Sequence, residues 1–286
     1  MANMTVKLLG TRGSMPVSGA RYAGTGGATL CVRVELCGMT LYLDAGTGLL
    51  NDKCEVSESH GPGLTAVFLS HPHADHIMGL ACSPLMMSAD RTVHIYAAER
   101  HGLDTESQIE SFMSPPVWPV GIRDLPADPV FHDLDGRPVL LADGRVRVEY
   151  MEGDHPGGVS VYKISCGDRS LVYMTDCTIG RLGPQGPVID EKYTGFARGC
   201  SILLVDGQYS DKEWRETACS SYGHSTWSMA AELGRLCGAG KVRIIHHDHD
   251  RTDQELEQNE HILAAKGQDI SFGYDGELID TGDGIL

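Results

Sequence analysis

Ser70-His71-Pro72-His73-Ala74-Asp75-His76-Ile77-Met78-Gly79-Leu80 places three imidazoles and a carboxylate within six positions, directly after the apolar run Ala66-Val67-Phe68-Leu69. The chain holds only 13 histidines in 286 residues, so composition alone does not account for this density. A short, continuous apolar run fits a strand buried on both faces. A loop leaving the end of such a strand can turn its side chains into one cavity. His71 and His73, two apart in extended chain, point the same way. Asp75 and His76 fall where a helix, expected to continue over Ile77 to Met87, begins, and they can face a second position beside the first. Imidazole and carboxylate donors suit zinc, manganese or iron. A histidine-rich surface loop is the plainer alternative.

The cluster supplies too few donors for a pair of metals, and further donor residues stand at other predicted strand ends. The spacing predicts strands over Met4–Leu9, Thr29–Leu36, Thr40–Leu43, Ala66–Leu69, Thr92–Tyr96, Pro129–His132, Arg145–Glu152, Val159–Ser165, Ser170–Met174, Ser201–Val205, Lys241–Ile245, Ile270–Phe272 and Glu277–Ile279. Helices are predicted over His101–Phe112, Thr226–Leu236 and Asp253–Ala265. His155 follows the strand that ends at Glu152, and Asp176 follows the one that ends at Met174. His246 and His247 follow Ile245, and His224 of Gly223-His-Ser-Thr226 precedes a helix. Taken singly, each has an ordinary reading as a helix cap or a satisfied core histidine. Together with the cluster they indicate a shared site at the strand ends of an open α/β sheet. No linker or low-complexity run divides the chain, so residues 1–286 read as one α/β domain with mixed sheets.

Composition narrows the partners. The formal net charge is -16, and no two Lys or Arg residues are adjacent. A broad electrostatic grip on long nucleic acid, which needs many basic contacts, is therefore not expected. Bound cations can still supply local positive charge for a small anionic substrate. The nine cysteines form no CxxC pair and read as buried small hydrophobes in a reducing compartment. No signal-peptide pattern or membrane-length apolar run is evident, so a cytoplasmic, membrane-free protein is expected.

His71-Pro-His-Ala-Asp-His76 resembles the HxHxDH signature of the metallo-β-lactamase superfamily, and Leu41-Tyr-Leu-Asp-Ala-Gly-Thr-Gly-Leu-Leu50 resembles the strand and turn that precede it there. His155, Asp176 and His246 occur in the order in which that superfamily supplies its remaining ligands. The resemblance implies an αββα sandwich, two mixed sheets face to face with helices outside and the metals at one sheet edge. It also implies two divalent ions, zinc first with manganese or iron as alternatives. One would be held by His71, His73 and His155, the other by Asp75, His76 and His246, with Asp176 bridging. His246 is favoured over His247 by alignment with the strand end. Asp44 would orient a liganding histidine, and Asp206 is open between a similar role and a structural turn.

Three features resemble the branch that includes ribonuclease Z and cyclic-nucleotide phosphodiesterases: the opening Gly10-Thr-Arg-Gly-Ser-Met-Pro-Val-Ser-Gly19, aspartate rather than cysteine at the bridging position, and the Gly-His-Ser-Thr motif. In ribonuclease Z a long tRNA-gripping arm lies between the third ligand motif and the bridging aspartate. Here about twenty residues separate His155 from Asp176, room for a strand hairpin. The resemblance thus implies a binuclear hydrolase of a small or single-stranded phosphodiester, a cyclic nucleotide or short oligonucleotide. Asp75 and His224 are its catalytic candidates, with His224 as proton donor to the leaving group. Ser225 and Thr226 read as caps of the following helix. Carboxyl-ester, lactone or thioester hydrolysis by the same metal pair is the alternative, and a non-catalytic metal-dependent sensor is a second. Phe112-Met-Ser-Pro-Pro-Val-Trp-Pro119 reads as an aromatic lip over the site, a dimer contact or ordinary packing. Relatives are frequently dimers, so a homodimer is expected.

Overall fold

Alternate residues of the continuous apolar runs enter different cores in the computed structural model of the chain, which describes residues 4–52, 64–264 and 268–281. Ile202 and Leu204 belong to a core between two sheets, whereas Leu203 and Val205 belong to a second core beneath helices. Ala66 and Phe68 likewise enter the inter-sheet core, while Val67 and Leu69 join a third core on the outer face of their sheet. Side chains leave a strand alternately to its two faces. A strand covered on both faces therefore reads as uninterrupted Leu, Val and Ile rather than as an alternation.

In chain order the strands are β1 Met4–Gly10, β2 Cys31–Leu36, β3 Met39–Leu43, β4 Thr65–Phe68, β5 Thr92–Ala98, β6 Asp128–Leu134, β7 Val139–Leu141, β8 Val146–Gly153, β9 Val159–Cys166, β10 Arg169–Met174, β11 Gly180–Gly183, β12 Gly186–Ile189, β13 Ile202–Asp206, β14 Lys241–Ile245, β15 Asp269–Phe272 and β16 Leu278–Asp280. The α-helices are α1 Ala74–Ile77, α2 Thr105–Glu110, α3 Glu191–Ala197, α4 Asp211–Glu216, α5 Trp227–Cys237 and α6 Asp253–Ala264. One seven-stranded sheet has the order β16-β1-β2-β3-β4-β5-β6, and the other β15-β14-β13-β10-β9-β8-β7. Each contains a parallel block, β3 to β6 in the first and β10, β13, β14 and β15 in the second. Helices flank the paired sheets, giving the αββα metallo-β-lactamase sandwich. The parallel blocks bring the carboxyl ends of β3, β4, β10, β13 and β14 to one edge, where such sheets build their sites.

The best-defined helix is α5. The Thr226 hydroxyl accepts from Met229 N at 3.3 Å, and Gly238 ends the helix at φ 68°. A cap of this kind contributes about 1 kcal/mol. Ser225 does something else: its hydroxyl donates to Cys177 O at 2.5 Å and accepts from Ile179 N at 3.1 Å. It ties the start of α5 to the loop that follows Asp176.

Some expectations change. The helix expected over Ile77 to Met87 is a single turn, α1, that ends at Ile77, followed by a 3-10 turn, Leu80–Cys82. A Cβ at Gly79 would lie 1.9 Å from Gly46 O, and Gly79 N already donates to Ala45 O. The chain is thus pressed onto the β3 turn, and Pro84 offers no donor for a helix beyond it. The helix expected from His101 begins only at Thr105, capped by Asp104. The hairpin of β11 and β12 and the helices α3 and α4 were not anticipated. Residue Ala265, the expected end of the last helix, and Cys54 lie outside the described residues. Phe112 and Trp118 pack against the third core and Met113 is fully buried there. That segment covers the core, and none of its residues is among those that line the cleft described below. No helix among the described residues is long and apolar enough to cross a membrane.

Candidate metal centre

Three strand-end residues at the shared edge adopt left-handed backbone that non-glycine residues rarely take: Asp44 at φ 58°, Asp176 at φ 47° and His246 at φ 61°. Such conformations cost free energy and persist where the surroundings enforce them. Here they turn Asp176 and His246 off the ends of β10 and β14 into a common cleft of about 220 Å³, and Asp44 off the end of β3 toward the back of the His76 ring.

The donors fall into two sets that share Asp176. His71 Nε2 lies 2.8 Å from His73 Nδ1, which lies 3.3 Å from His155 Nε2. Asp176 Oδ2 faces this set, 3.7 Å from His71 Nε2 and 3.9 Å from His155 Nε2. Its other oxygen, Oδ1, is 3.2 Å from His76 Nε2 and 3.1 Å from His246 Nε2. Asp75 Oδ2 closes the second set, 3.2 Å from His76 Nε2 and 3.4 Å from His246 Nε2. Within each set the donor atoms all lie within 4.8 Å of one another. The structure thus brings His71, His73, His155, Asp75, His76, His246 and Asp176 to one place, with one Asp176 oxygen toward each set.

A second layer of hydrogen bonds decides which nitrogen of each ring faces inward. His76 Nδ1 donates to Asp44 Oδ2 at 2.7 Å, His71 Nδ1 to Ser70 Oγ at 3.0 Å and His155 Nδ1 to Gly223 O at 3.0 Å. With Nδ1 committed outward, each of these rings turns its Nε2 toward the cleft. Ser70 Oγ in turn donates to Asp44 Oδ2 at 2.8 Å, as does Tyr173 OH at 2.7 Å. Ser14 N donates to Asp75 Oδ2 at 2.8 Å. A Cβ at Gly13 would lie 2.3 Å from the His246 ring, and one at Gly223 2.4 Å from His155 Nδ1. The two glycines are therefore where backbone must approach a ligand-type histidine closely.

The donor sets fit divalent cations. His76 Nε2 and His246 Nε2 are buried without an aligned hydrogen bond, though carboxylate oxygens stand at 3.1–3.4 Å. That is the arrangement of donors aimed at a common point rather than at one another. Burial, aided by neighbouring imidazoles, holds His71, His73 and His155 below the ordinary imidazole range, which favours their neutral, ligand-type form. Burial acts the same way on His76 and His246, but the Asp176 and Asp75 carboxylates outweigh it. His76 is raised well above the ordinary value and His246 to about 10. Asp75 and Asp176 are held low despite burial, by His76 and His246. Protons on two imidazoles thus stand where a divalent cation would balance the same two carboxylates.

Beside the second set, His224 Nδ1 donates to Asp206 Oδ2 at 2.8 Å, which leaves its Nε2 free. The His224 ring stacks on that of His246, with centroids 4.9 Å apart. Asp206 Oδ1 accepts from Ser225 N and Gln208 N, both at 3.1 Å, so the carboxylate is locked before it orients the histidine. His247 points the other way: its Nε2 donates to Gly273 O at 2.8 Å, and burial lowers its pKa to about 3. Sequence reasoning missed the Ser14 backbone, Gly13, Gly223, Tyr173 and Tyr222. Only the glycines carried a usable signal, as residues flanking ligand-type motifs.

The model of the β-lactamase superfamily domain matches residues 40–247, an interval that holds every candidate metal ligand described. Among solved structures, the metallo-β-lactamase fold protein YhfI from Bacillus subtilis superposes with a TM-score of 0.69 at 18% identity, covering 98% of this chain and 100% of that one. A diphosphatase of the PhnP family gives 0.66 at 19% identity, over 96% and 97% of the two chains. The short form of human tRNase Z gives 0.67 at 19% identity, over 97% and 99%. At these identities the likeness is one of fold. No curated protein sequence matches the chain significantly. The chain belongs to the β-lactamase superfamily.

Proposed function

We propose that the protein is a binuclear metal-dependent phosphodiesterase that acts on a small phosphodiester, with zinc as the first candidate metal. The observation that carries the reading is the pairing of two donor sets about Asp176 with an Asp206-oriented His224 beside them. His71, His73, His155 and Asp176 would hold one cation, and Asp75, His76, His246 and Asp176 the other. A mixture of imidazole nitrogen and carboxylate oxygen suits zinc best, with manganese or iron as alternatives. When bound, the pair acidifies water and offsets the charge that grows on the phosphoryl oxygens.

The remaining roles belong to side chains. Asp44 fixes the His76 tautomer and Gly223 O that of His155. Ser14 N and the rings of His76 and His246 hold Asp75. His224, with Nδ1 committed to Asp206, presents Nε2 to the cleft, where it stabilises the transition state and protonates the leaving alkoxide. An alkoxide leaving group needs that proton; a thiolate does not, which favours phosphodiester over thioester chemistry. The diphosphatase and the tRNase Z that share the fold lend support of the same direction. Turnover of bis-p-nitrophenyl phosphate and of a lactone and thioester panel by zinc- and manganese-loaded protein tests the reading. Clear thioesterase activity with none on any phosphodiester would overturn it.

A further inference from the structure

One residue at the cleft has no part in the chemistry above. Tyr222 lines the cleft yet is 55% exposed. Its place is fixed by its neighbours. Tyr222 N donates to Cys219 O at 3.0 Å at the end of a 3-10 turn, Ala218–Ser221. Gly223, next in the chain, adopts φ 85° against the His155 ring, and its carbonyl accepts from His155 Nδ1. The tyrosine is therefore carried on the same backbone that positions a ligand-type histidine on one side and His224 on the other. An exposed ring on backbone placed in this way can offer a face to a group that extends from the reacting centre.

The second observation is charge. Among the described residues that line the cleft there is no lysine or arginine. Two divalent cations against the Asp75 and Asp176 carboxylates leave two positive charges. A singly charged diester attacked by hydroxide reaches a transition state of two negative charges, which that site balances. A monoester, or a diester bearing further phosphates, brings at least one more negative charge with no lysine or arginine on the cleft wall to meet it.

We propose that Tyr222 is the specificity-determining platform of the site, and that the preferred substrates are singly charged phosphodiesters with a planar ring on one ester group. Ser221 and Pro156 line the cleft wall with it. The inference rests on the phosphodiesterase reading and narrows its substrate class. It places recognition in Tyr222 rather than in a basic patch.

Diphenyl phosphate and diethyl phosphate, alike in charge and different in the ring, separate the possibilities. Titration calorimetry of the metal-loaded protein should show the phenyl diester binding on the order of tenfold more tightly. Tyr222→Ala should collapse that ratio toward one, and Tyr222→Phe should keep it. In steady-state assays with bis-p-nitrophenyl phosphate the alanine change should appear mainly in KM and the phenylalanine change in neither constant. Phenyl phosphate, the dianionic monoester, should bind more weakly than diphenyl phosphate. Turnover with equal affinity for the two diesters, or a ratio that persists in a folded Tyr222→Ala protein, overturns this inference alone. Absence of binding and turnover on every diester overturns it together with the phosphodiesterase reading.

Discussion

His76 Nδ1 lies 2.7 Å from Asp44 Oδ2, and neither residue is exposed to solvent. Asp44 also accepts from Ser70 N at 2.7 Å, Ser70 Oγ and Tyr173 OH. Four donors thus converge on two oxygens. Asp44→Asn must turn its NH₂ group toward some of these donors, because an amide has only one acceptor oxygen. His76 then loses the partner that fixes its tautomer. Metal affinity is expected to fall about 10–100-fold, read by competition with a chromophoric chelator. Stability should fall by about 1–3 kcal/mol, since a buried group is left unpaired. Unchanged metal affinity in a folded variant would remove Asp44 from the site.

The same residue shows what the sequence could and could not reveal. Asp44 was legible as an orienting residue because it ends an apolar run in a motif that resembles the superfamily's strand and turn. His71, His73, Asp75 and His76 were legible because four donors share one short loop. The strands were legible for a physical reason, their uninterrupted apolar runs. What stayed hidden was set by tertiary approach. Nothing local announces that Gly79 presses on Gly46, so α1 reads as a longer helix than it is. The partner of Asp75 is a backbone N–H 61 positions earlier, at Ser14. Tyr222 looks like any loop tyrosine until the fold brings it to the cleft, and nothing local shows that Met113 is buried in the third core.

Gly13 is a position where a single methyl group should disturb a candidate ligand directly. Its Cβ would stand 2.3 Å from two atoms of the His246 ring and 2.7 Å from a third. His246 is fully enclosed and cannot swing away without leaving Asp75 and Asp176. Gly13→Ala should therefore displace one donor of the second set. The expected result is a protein that retains one tightly bound metal per chain and loses the other, measured by elemental analysis after dialysis. Activity should drop at least tenfold. Two metals retained with full activity would show that the loop yields instead.

His224 and Asp206 should separate chemistry from metal binding. His224→Ala is expected to lower kcat about 10²–10⁴-fold, the usual range for loss of a positioned acid, with metal content unchanged. Asp206→Asn keeps the shape of the carboxylate but presents the wrong group to His224 Nδ1, so it should give a smaller loss and move one limb of the pH–rate profile. The drop should also shrink as the leaving group improves, being smaller for p-nitrophenolate than for an alkoxide. A leaving-group-independent effect would assign His224 to binding rather than to proton donation.

Metal uptake should release protons, and its pH dependence follows from the ring pairings. In the metal-free protein burial lowers His76 and His246, but the Asp176 and Asp75 carboxylates raise both, His246 to about 10. At pH 8 each ring carries a proton that a cation must displace, so filling the second set should release up to two protons. Calorimetry in buffers of different ionisation enthalpy measures that number. The sign for stability is equally definite. A histidine raised above its ordinary value of 6.5 contributes stability that is complete below about pH 6.5 and is lost as pH rises through the folded-state value. Chelator-treated protein should therefore have a lower Tm at pH 9 than at pH 7. His71, His73 and His155 are lowered, so their contribution is complete above pH 6.5 and does not oppose this trend. In the metal-loaded protein the cations have replaced those protons, and the same comparison should show little change. A metal-free protein that gains Tm between pH 7 and pH 9 would mean that the two imidazoles are neutral and the carboxylates are held by something else.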